Sequence, residues 1–217
     1  IFSLVWSSDF PTTTNAYDQS HNGQADLAVS KLSIDTTGNS NLLASTFIGG
    51  TGNEGTNWIE ISNKGQMKKS AQGNYVFHST SASFNFPNTT SLASYQSSIN
   101  EQAVLFEFAS DLETLNWSTY IGGSNEESVG IGLNFLSNDN ILVGGLTYST
   151  DIPSTSGSAI PVHPNPSTAA WTHVGYLMVI APDGSQIVNA TYLGTVDGGD
   201  RVTHIQEDPI TGDLTVL

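Results

Sequence analysis

A short cluster of residues occurs three times in this sequence at nearly equal spacing. Each copy ends a stretch with β-strand character, and the copies occupy residues 45–50, 118–123 and 190–195. Their first glycines, Gly49, Gly122 and Gly194, are 73 and 72 residues apart. A fixed period of this length indicates one supersecondary unit that is repeated along the chain. The fold must therefore be predicted for one repeat and then extended to the others.

A proline-centred segment forms a second repeated anchor. Residues 9–13, 85–89 and 151–155 each follow a predicted strand and contain Pro11, Pro87 and Pro153. Proline has no N–H with which to continue a β-ladder, so it suits the exit from a strand. A long connection rich in Ser, Thr and Asn follows each proline, and we expect the last of them, residues 154–174, to be an irregular surface loop.

Period-2 alternation and turn chemistry predict about thirteen strands and no helix. In the middle repeat, residues 103–109, 115–121, 129–136 and 141–148 are predicted to form one antiparallel meander. In the first repeat, residues 58–61 are the matching strand, and residues 64–69 are interpreted as a basic insertion.

Four short strands cannot bury both faces of their sheet alone, whereas stacked sheets can. Radial stacking of four-stranded sheets is a β-propeller, and the period of about 72 residues is short for the alternative, a tandem of β-sandwich domains of ~100 residues each. We therefore predict an all-β partial propeller over residues 1–217 with about three blades. The predicted repeats are residues 1–50, 51–123, 124–195 and 196–217, and the blade-packing anchors are Phe47, Tyr120 and Tyr192, with Gly49, Gly50, Gly122, Gly123 and Gly194 as turn anchors.

The repeat resembles a known family, the bacterial β-propeller repeat called SBBP. The matching segments are residues 26–32, 117–123, 147–153 and 8–13. The third copy departs from the pattern because Gly194 is followed by Thr195. The resemblance implies a ring of about seven blades in a large exported or surface protein of bacteria, and it implies no catalytic residues.

Composition limits the possible partners and chemistry. Twenty acidic side chains against five basic ones give a formal net charge of −15, which disfavours nucleic acid and anionic lipid. No apolar run approaches ~20 residues, so no membrane span is predicted. The chain has no cysteine, which excludes disulfides and Cys-ligated zinc and favours a secreted or cell-surface bacterial location. Strand-like sequence at both ends, at Ile1 and Leu217, favours a segment of a longer protein.

Signatures of catalysis are weak. No His-Glu-x-x-His or Gly-x-Ser-x-Gly motif occurs, and the lone Arg201 is too little for a sialidase-type site. Two close carboxylates could cleave glycosides. Glu126 with Glu127, and Asp197 with Asp200, could supply them, but our interpretation is that these loops are solvated turns.

Two further ligands are possible. Acidic, glycine-bearing loops suit calcium, and the candidate ligands are Asp197, Asp200, Asp208 and Asp213; otherwise no cofactor is predicted. Trp171, in the longest proline-rich loop, is the candidate ligand contact. Trp6 and Trp117 lie in strand patterns and are expected to pack in the core.

The sequence therefore predicts a non-enzymatic repeat scaffold that serves display, adhesion or protein docking. The expected partner is a protein or a cell-surface component. One alternative is a propeller that binds or processes carbohydrate. A further alternative is a cargo or partner of an outer-membrane export complex.

Overall fold

The computed structural model describes residues 1–55, 65–90, 92, 101–166 and 172–217. Within these residues the chain forms thirteen β-strands and no helix, which confirms the all-β prediction. In chain order the strands are β1 (Phe2–Val5), β2 (Asp26–Ile34), β3 (Ser40–Ile48), β4 (Gln66–Lys69), β5 (Tyr75–Ser81), β6 (Gln102–Phe108), β7 (Leu115–Ile121), β8 (Glu127–Phe135), β9 (Ile141–Thr147), β10 (Val174–Ile180), β11 (Ile187–Leu193), β12 (Ile205–Glu207) and β13 (Leu214–Val216).

These strands form four antiparallel sheets in which each strand pairs with its neighbours in sequence. The first sheet contains β1 to β3, the second β4 to β7, the third β8 to β11, and the fourth β12 and β13. The chain leaves one sheet for the next after Ile48, Ile121 and Leu193, immediately before the glycines of the repeated cluster. The second and third sheets each have four strands, as the repeat predicts.

The boundary between the second and third sheets corrects one prediction. The strands expected in a single meander over residues 103–148 belong to two sheets, because β7 ends the second sheet and β8 begins the third. The loop after β7 is held by the third sheet: Ser124 N donates to Asp151 Oδ1 at 2.8 Å, and Asn125 N donates to Ser149 Oγ at 2.8 Å. Because of these bonds, the chain after β7 continues into the third sheet and does not fold back along β7.

The predicted basic insertion is also wrong in part. Its residues from Gln66 to Lys69 are strand β4, which pairs with β5 and places Met67 opposite Phe77. A strand of two lysines, a glutamine and a methionine has little apolar alternation, so its pattern did not predict it. The strand predicted at residues 58–61 lies outside the described residues.

Consecutive sheets pack face to face through alternating side chains. Along β6, Val104 and Phe106 pack with residues of the first sheet, while Ala103 and Leu105 pack with residues of the third. All but one of the largest fully buried side chains lie in these two interfaces: Tyr120, Tyr176, Tyr192, Phe77, Phe106, Phe108, Leu27, Ile48, Leu105, Ile121 and Ile141. The exception, Phe47, packs with Val5 and Ala28. Leu142, Leu177, Val202 and Ile205 join the third sheet to the fourth. The core is thus a series of apolar layers between successive sheets.

The proline-led connections cover the free edges of the last strands of the first three sheets. Thr13 N donates to Ser45 O at 3.0 Å, and Thr89 N donates to Ser118 O at 2.8 Å. In the third sheet Tyr192 N donates to Ile160 O at 3.0 Å. Because unpaired strand edges promote aggregation, this pairing gives the polar connections a structural role.

Candidate functional site

Glu54 is a fully buried carboxyl group in the loop that joins the first and second sheets. Its Oε1 accepts hydrogen bonds from Ser81 Oγ at 2.9 Å and from Ser83 Oγ. Its Oε2 is also buried, and the described part of the chain gives this oxygen no hydrogen-bond partner. The two serines lie at the end of β5 and just beyond it, so Glu54 fastens the loop to that strand end.

Glu127 occupies the corresponding place between the second and third sheets. Its Oε1 accepts hydrogen bonds from Thr147 Oγ1 at 3.1 Å, from Gly123 N at 3.0 Å and from Ser149 Oγ. Its Oε2 is also buried, and no hydrogen-bond partner for it is found among residues 1–55, 65–90, 92, 101–166 and 172–217. Glu127 has no exposed surface, so the interpretation of this loop as a solvated turn is wrong for this residue.

The third copy places Asp200 at a related position, six residues after Gly194. Its Oδ2 accepts hydrogen bonds from Thr195 N at 2.7 Å and from Thr195 Oγ1 at 3.2 Å. Asp200 is only partly buried. All three glycine clusters are therefore followed by an acidic side chain that accepts hydrogen bonds, from its own loop at Glu127 and Asp200 and from the end of β5 at Glu54.

This arrangement explains why glycine precedes the acidic residue. A Cβ atom on Gly49 would lie 2.9 Å from Glu54 Oε2, and one on Gly194 would lie 2.8 Å from Asp200 Oδ2. At Gly122 a Cβ atom would overlap the Glu127 carboxyl group, and the φ angle of +132° also favours glycine. The second glycines are confined as well, because a Cβ atom on Gly50 or Gly123 would meet the serine that follows β5 or β9.

Burial changes the ionisation of both glutamates. The pKa of Glu54 is raised to about 7, mainly by desolvation and to a smaller extent by the nearby Asp26 carboxyl, against the lowering effect of hydrogen bonds from Ser83, Ser81 and Gly50. Desolvation likewise raises the pKa of Glu127 to about 7, against hydrogen bonds from Ser149, Gly123 and Thr147. Both groups therefore titrate near neutral pH.

The predicted aromatic anchors are buried and two of them act as hydrogen-bonding links. Tyr120 Oη donates to Ser83 O at 2.5 Å and accepts from Phe86 N at 3.1 Å. Tyr192 Oη bonds in the same way to Ser149 O at 3.1 Å and Ile152 N at 3.0 Å. Each hydroxyl thus reaches the segment that precedes the anchor proline, Pro87 or Pro153.

The first copy has Phe47 at the same place and uses ring packing instead. Phe47 has no exposed surface, and its ring lies 5.8 Å from that of Phe10, the residue before Pro11. Without a hydroxyl the link in this copy is apolar only.

A polar contact inside the core was not predicted. His78 of β5 lies with its Nε2 3.4 Å from Tyr176 Oη of β10, in the layer between the second and third sheets. Complete burial lowers the pKa of His78 to about 4 and raises the pKa of Tyr176. Both side chains are therefore neutral at physiological pH.

The remaining predicted ligand residues do not converge. Among the described residues, no three acidic or histidine side chains form a group that could hold a metal ion. Asp208 Oδ1 accepts from Ile210 N at 2.8 Å within its own turn, and Asp197 is exposed. Calcium binding by Asp197, Asp200, Asp208 and Asp213 stays a prediction.

The tryptophans are distributed differently from expectation. Trp117 is 5% exposed and lies in the core, whereas Trp6 is 62% exposed just beyond β1. The core placement predicted for Trp6 is therefore wrong, since the residue lies past the last ladder pair of β1. Trp171 lies outside the described residues.

Two clefts lie between successive sheets. One, of about 320 Å³, is lined mainly by apolar side chains such as Leu32, Ile34 and Met67. The other, of about 360 Å³, lies between the second and third sheets and is lined by Glu107, Trp117 and several polar residues: Gln72, Asn74, Asn116 and Asp183. The second cleft is the better candidate for a polar ligand.

Comparison with known proteins found neither a family model nor a curated protein that matches the chain. Within the part of the chain that the structure describes, no helix has the length and apolar character needed to cross a membrane.

Proposed function

We propose that this chain is a segment of a β-propeller and serves as a non-enzymatic scaffold for display, adhesion or protein docking. The observation that carries the proposal is the serial face-to-face packing of four antiparallel sheets. Sheets that share both faces with neighbours, as the second and third do, form a propeller when the series turns about an axis. The resemblance to SBBP repeats supports the same proposal.

The roles of the repeated residues support a scaffold over an enzyme. Tyr120 and Tyr192 are buried and bond to their own chain, and Glu54 and Glu127 each accept hydrogen bonds from neighbouring loop and strand residues. The side chains common to the repeats therefore hold the sheets and loops together. The connections between the strands vary in length. We propose that they contact a partner, which is a protein or another component of a bacterial cell surface.

An assay of turnover tests the non-enzymatic part of this proposal. The purified chain should release no product from panels of glycosides, peptides and phosphoesters. The Glu127→Gln variant is the matched comparison, because Glu127 is a buried carboxylate with a raised pKa, as general acids often are. Turnover by the wild type that is lost in this variant would overturn the proposal.

Carbohydrate binding is a second candidate function, favoured by the polar cleft. Glu107 Oε1 accepts hydrogen bonds from Asn74 Nδ2 at 3.0 Å and from Asn116 Nδ2 at 2.7 Å. A carboxylate and two amides held in fixed orientation beside Trp117 offer the donors and acceptors that sugar hydroxyls need.

A glycan array separates the two candidate functions. Binding to a defined glycan that disappears in Glu107→Ala but persists in Glu113→Ala, a change in the β6–β7 turn, would support the carbohydrate site. Absence of binding to every glycan on the array would remove this candidate and leave the scaffold proposal in place.

A further inference from the structure

One layer of the core contains both an acid and a base that are closed off from solvent. Glu127 is the first residue of β8 in the third sheet, His78 lies in β5 of the second sheet, and neither has exposed surface. Tyr176 of β10 is a neighbour of both. Its Oη lies 3.4 Å from His78 Nε2, and the Glu127 carboxyl adds to the effect of burial in raising the pKa of Tyr176. The acid and the base therefore share the interface between the second and third sheets.

Neither group has a partner that would neutralise its charged form. Glu127 Oε2 and His78 Nδ1 are both buried, and the described part of the chain gives neither atom a hydrogen-bond partner. The other carboxyl oxygen, Oε1, accepts from neutral donors, namely Gly123 N, Thr147 Oγ1 and Ser149 Oγ. Because a buried charge is costly without a counter-charge, this interface favours the uncharged form of each group.

The lysines of the adjacent strand do not enter the interface. Lys68 and Lys69 belong to β4, which pairs with β5, and both are exposed. Asp151 makes a minor contribution to the raised pKa of Glu127, so this acidic neighbour adds to the cost of ionising it. The remaining titratable side chains on the elements packed around the pair are Tyr75 of β5, Glu101 and Glu107 at the two ends of β6, Glu126 before β8, Tyr192 of β11, and His163, whose ring lies 5.3 Å from that of Tyr192.

We propose that Glu127 and His78 form a compensated pair, which removes the pH dependence that either group alone would give to the packing of the second sheet against the third. In the folded chain the pair holds one proton, on Glu127. In the unfolded chain the pair also holds one proton, on His78. Stability depends on pH only where the folded and unfolded chains bind different numbers of protons. Unfolding thus moves the proton from the carboxyl group to the imidazole, and the pair contributes no net slope.

The ionisation of the two groups sets the range of this compensation. The pKa of Glu127 is raised by burial from 4.5 to about 7, and burial lowers the pKa of His78 from 6.5 to about 4, against a smaller raising effect of the Gly132 backbone. Taken alone, Glu127 loses its stabilising contribution as the pH rises through 7, whereas His78 makes folding less favourable as the pH falls from 6.5 toward 4. The two slopes have opposite sign, so they cancel where both groups are neutral in the folded chain. This inference does not rest on the proposed scaffold function.

The interface between the first and second sheets has the acid without the base. Phe2 pairs with Val29, the fourth residue of β2, as His78 pairs with Leu105, the fourth residue of β6. The ring of Phe2 packs on that of Phe77, with centroids 5.1 Å apart. Glu54, which corresponds to Glu127, also has a pKa raised to about 7. Its titration therefore has no histidine at the corresponding position to oppose it.

Urea unfolding of the whole chain at pH 5 and at pH 8 tests the proposal through the ratio of the two folding equilibrium constants. In His78→Gln only the carboxyl group of the pair titrates, and the ratio of the constant at pH 5 to that at pH 8 should be about 30-fold higher than in the wild type. In Glu127→Gln only the imidazole titrates, and the ratio should be about 70-fold lower. The double variant should return to within about threefold of the wild type. His204→Gln is the matched control at an exposed histidine and should keep the wild-type ratio.

The proposal requires opposite changes in the two single variants, and any other combination overturns it. Nitrogen NMR of the wild-type chain adds a readout that needs no variant to fold. At pH 5.5 the His78 imidazole of the folded chain should show the two distinct nitrogen shifts of a neutral ring, whereas the equivalent shifts of an imidazolium would overturn the proposal. If His78→Gln does not fold, this spectrum and the Glu127→Gln ratio decide the question.

Discussion

Tyr120 Oη donates a 2.5 Å hydrogen bond to the carbonyl oxygen of Ser83, from the last strand of the second sheet to the segment after β5. The same hydroxyl accepts from Phe86 N, and Tyr192 repeats both bonds in the third sheet. The bond spans β6, which lies between the two partners in the sheet. In the second sheet it holds the segment after β5 against β7, the edge strand. The bond thereby restricts the course of the proline-led connection that follows, and the Tyr192 bonds do the same in the third sheet.

Removal of this hydroxyl should destabilise the fold without changing the packing. Tyr120→Phe leaves Phe86 N–H and Ser83 C=O unpaired in a buried site, and we expect a loss of about 1–3 kcal/mol in the free energy of unfolding. Urea denaturation followed by tryptophan fluorescence measures the loss. Tyr17→Phe is the control, because Tyr17 is 41% exposed; an equal effect of the two substitutions would contradict the assigned role.

The pH dependence of stability should reveal the buried glutamates. The pKa of Glu127 is about 7 in the folded chain, against 4.5 for an unperturbed glutamic acid side chain. Between these values the folded state binds more protons than the unfolded state, so stability falls as pH rises. The stabilising contribution is complete below about pH 4.5 and lost above about pH 7, with a magnitude on the order of 3 kcal/mol.

Glu127→Gln removes this titration while keeping a neutral side chain of the same shape. In a chelating buffer, its free energy of unfolding should fall less steeply from pH 5 to pH 8 than that of the wild type. Glu113→Gln, in the turn between β6 and β7, should keep the wild-type slope. A slope in Glu127→Gln that matches the wild type would show that this carboxyl group does not titrate in the folded chain near neutral pH.

Glycine at position 122 should be required for space as well as for backbone angle. Gly122→Ala places a methyl group against the Glu127 carboxyl and strains a φ angle of +132°. Gly157→Ala has a comparable angle, +91°, with no atom within 4 Å of the added carbon. Dihedral strain costs of order 1–3 kcal/mol in both, so the collision should make the Gly122 variant less stable by at least ~1 kcal/mol more. Thermal melts of both variants measure the difference.

The strands were largely predictable because alternation of apolar residues identifies buried faces. Along β6, alternate residues face different sheets, and all of them are buried, as the apolar run at residues 103–109 indicated. Alternation does not identify the partner of a strand. The change of sheet between β7 and β8 depends on the bonds that Ser124 and Asn125 make to the third sheet, which no local pattern encodes.

The buried glutamates were less predictable because an acidic residue in a glycine-rich loop has the composition of a solvated turn. Two separate segments had to be compared to predict them. One holds the glutamate, five residues after the first glycine of the cluster, and the other holds two hydroxyl side chains at the end of the next repeat's second strand. Glu54 pairs in this way with Ser81 and Ser83. Only the structure brings these segments together.

We propose that the stacked sheets are consecutive blades of a propeller. A crystal structure of the protein tests this proposal. We expect four-stranded sheets arranged radially about one axis, with a tyrosine or phenylalanine link at the position of Tyr120 in each blade. Separate two-sheet sandwich domains, or sheets stacked along a straight line without a common axis, would contradict it.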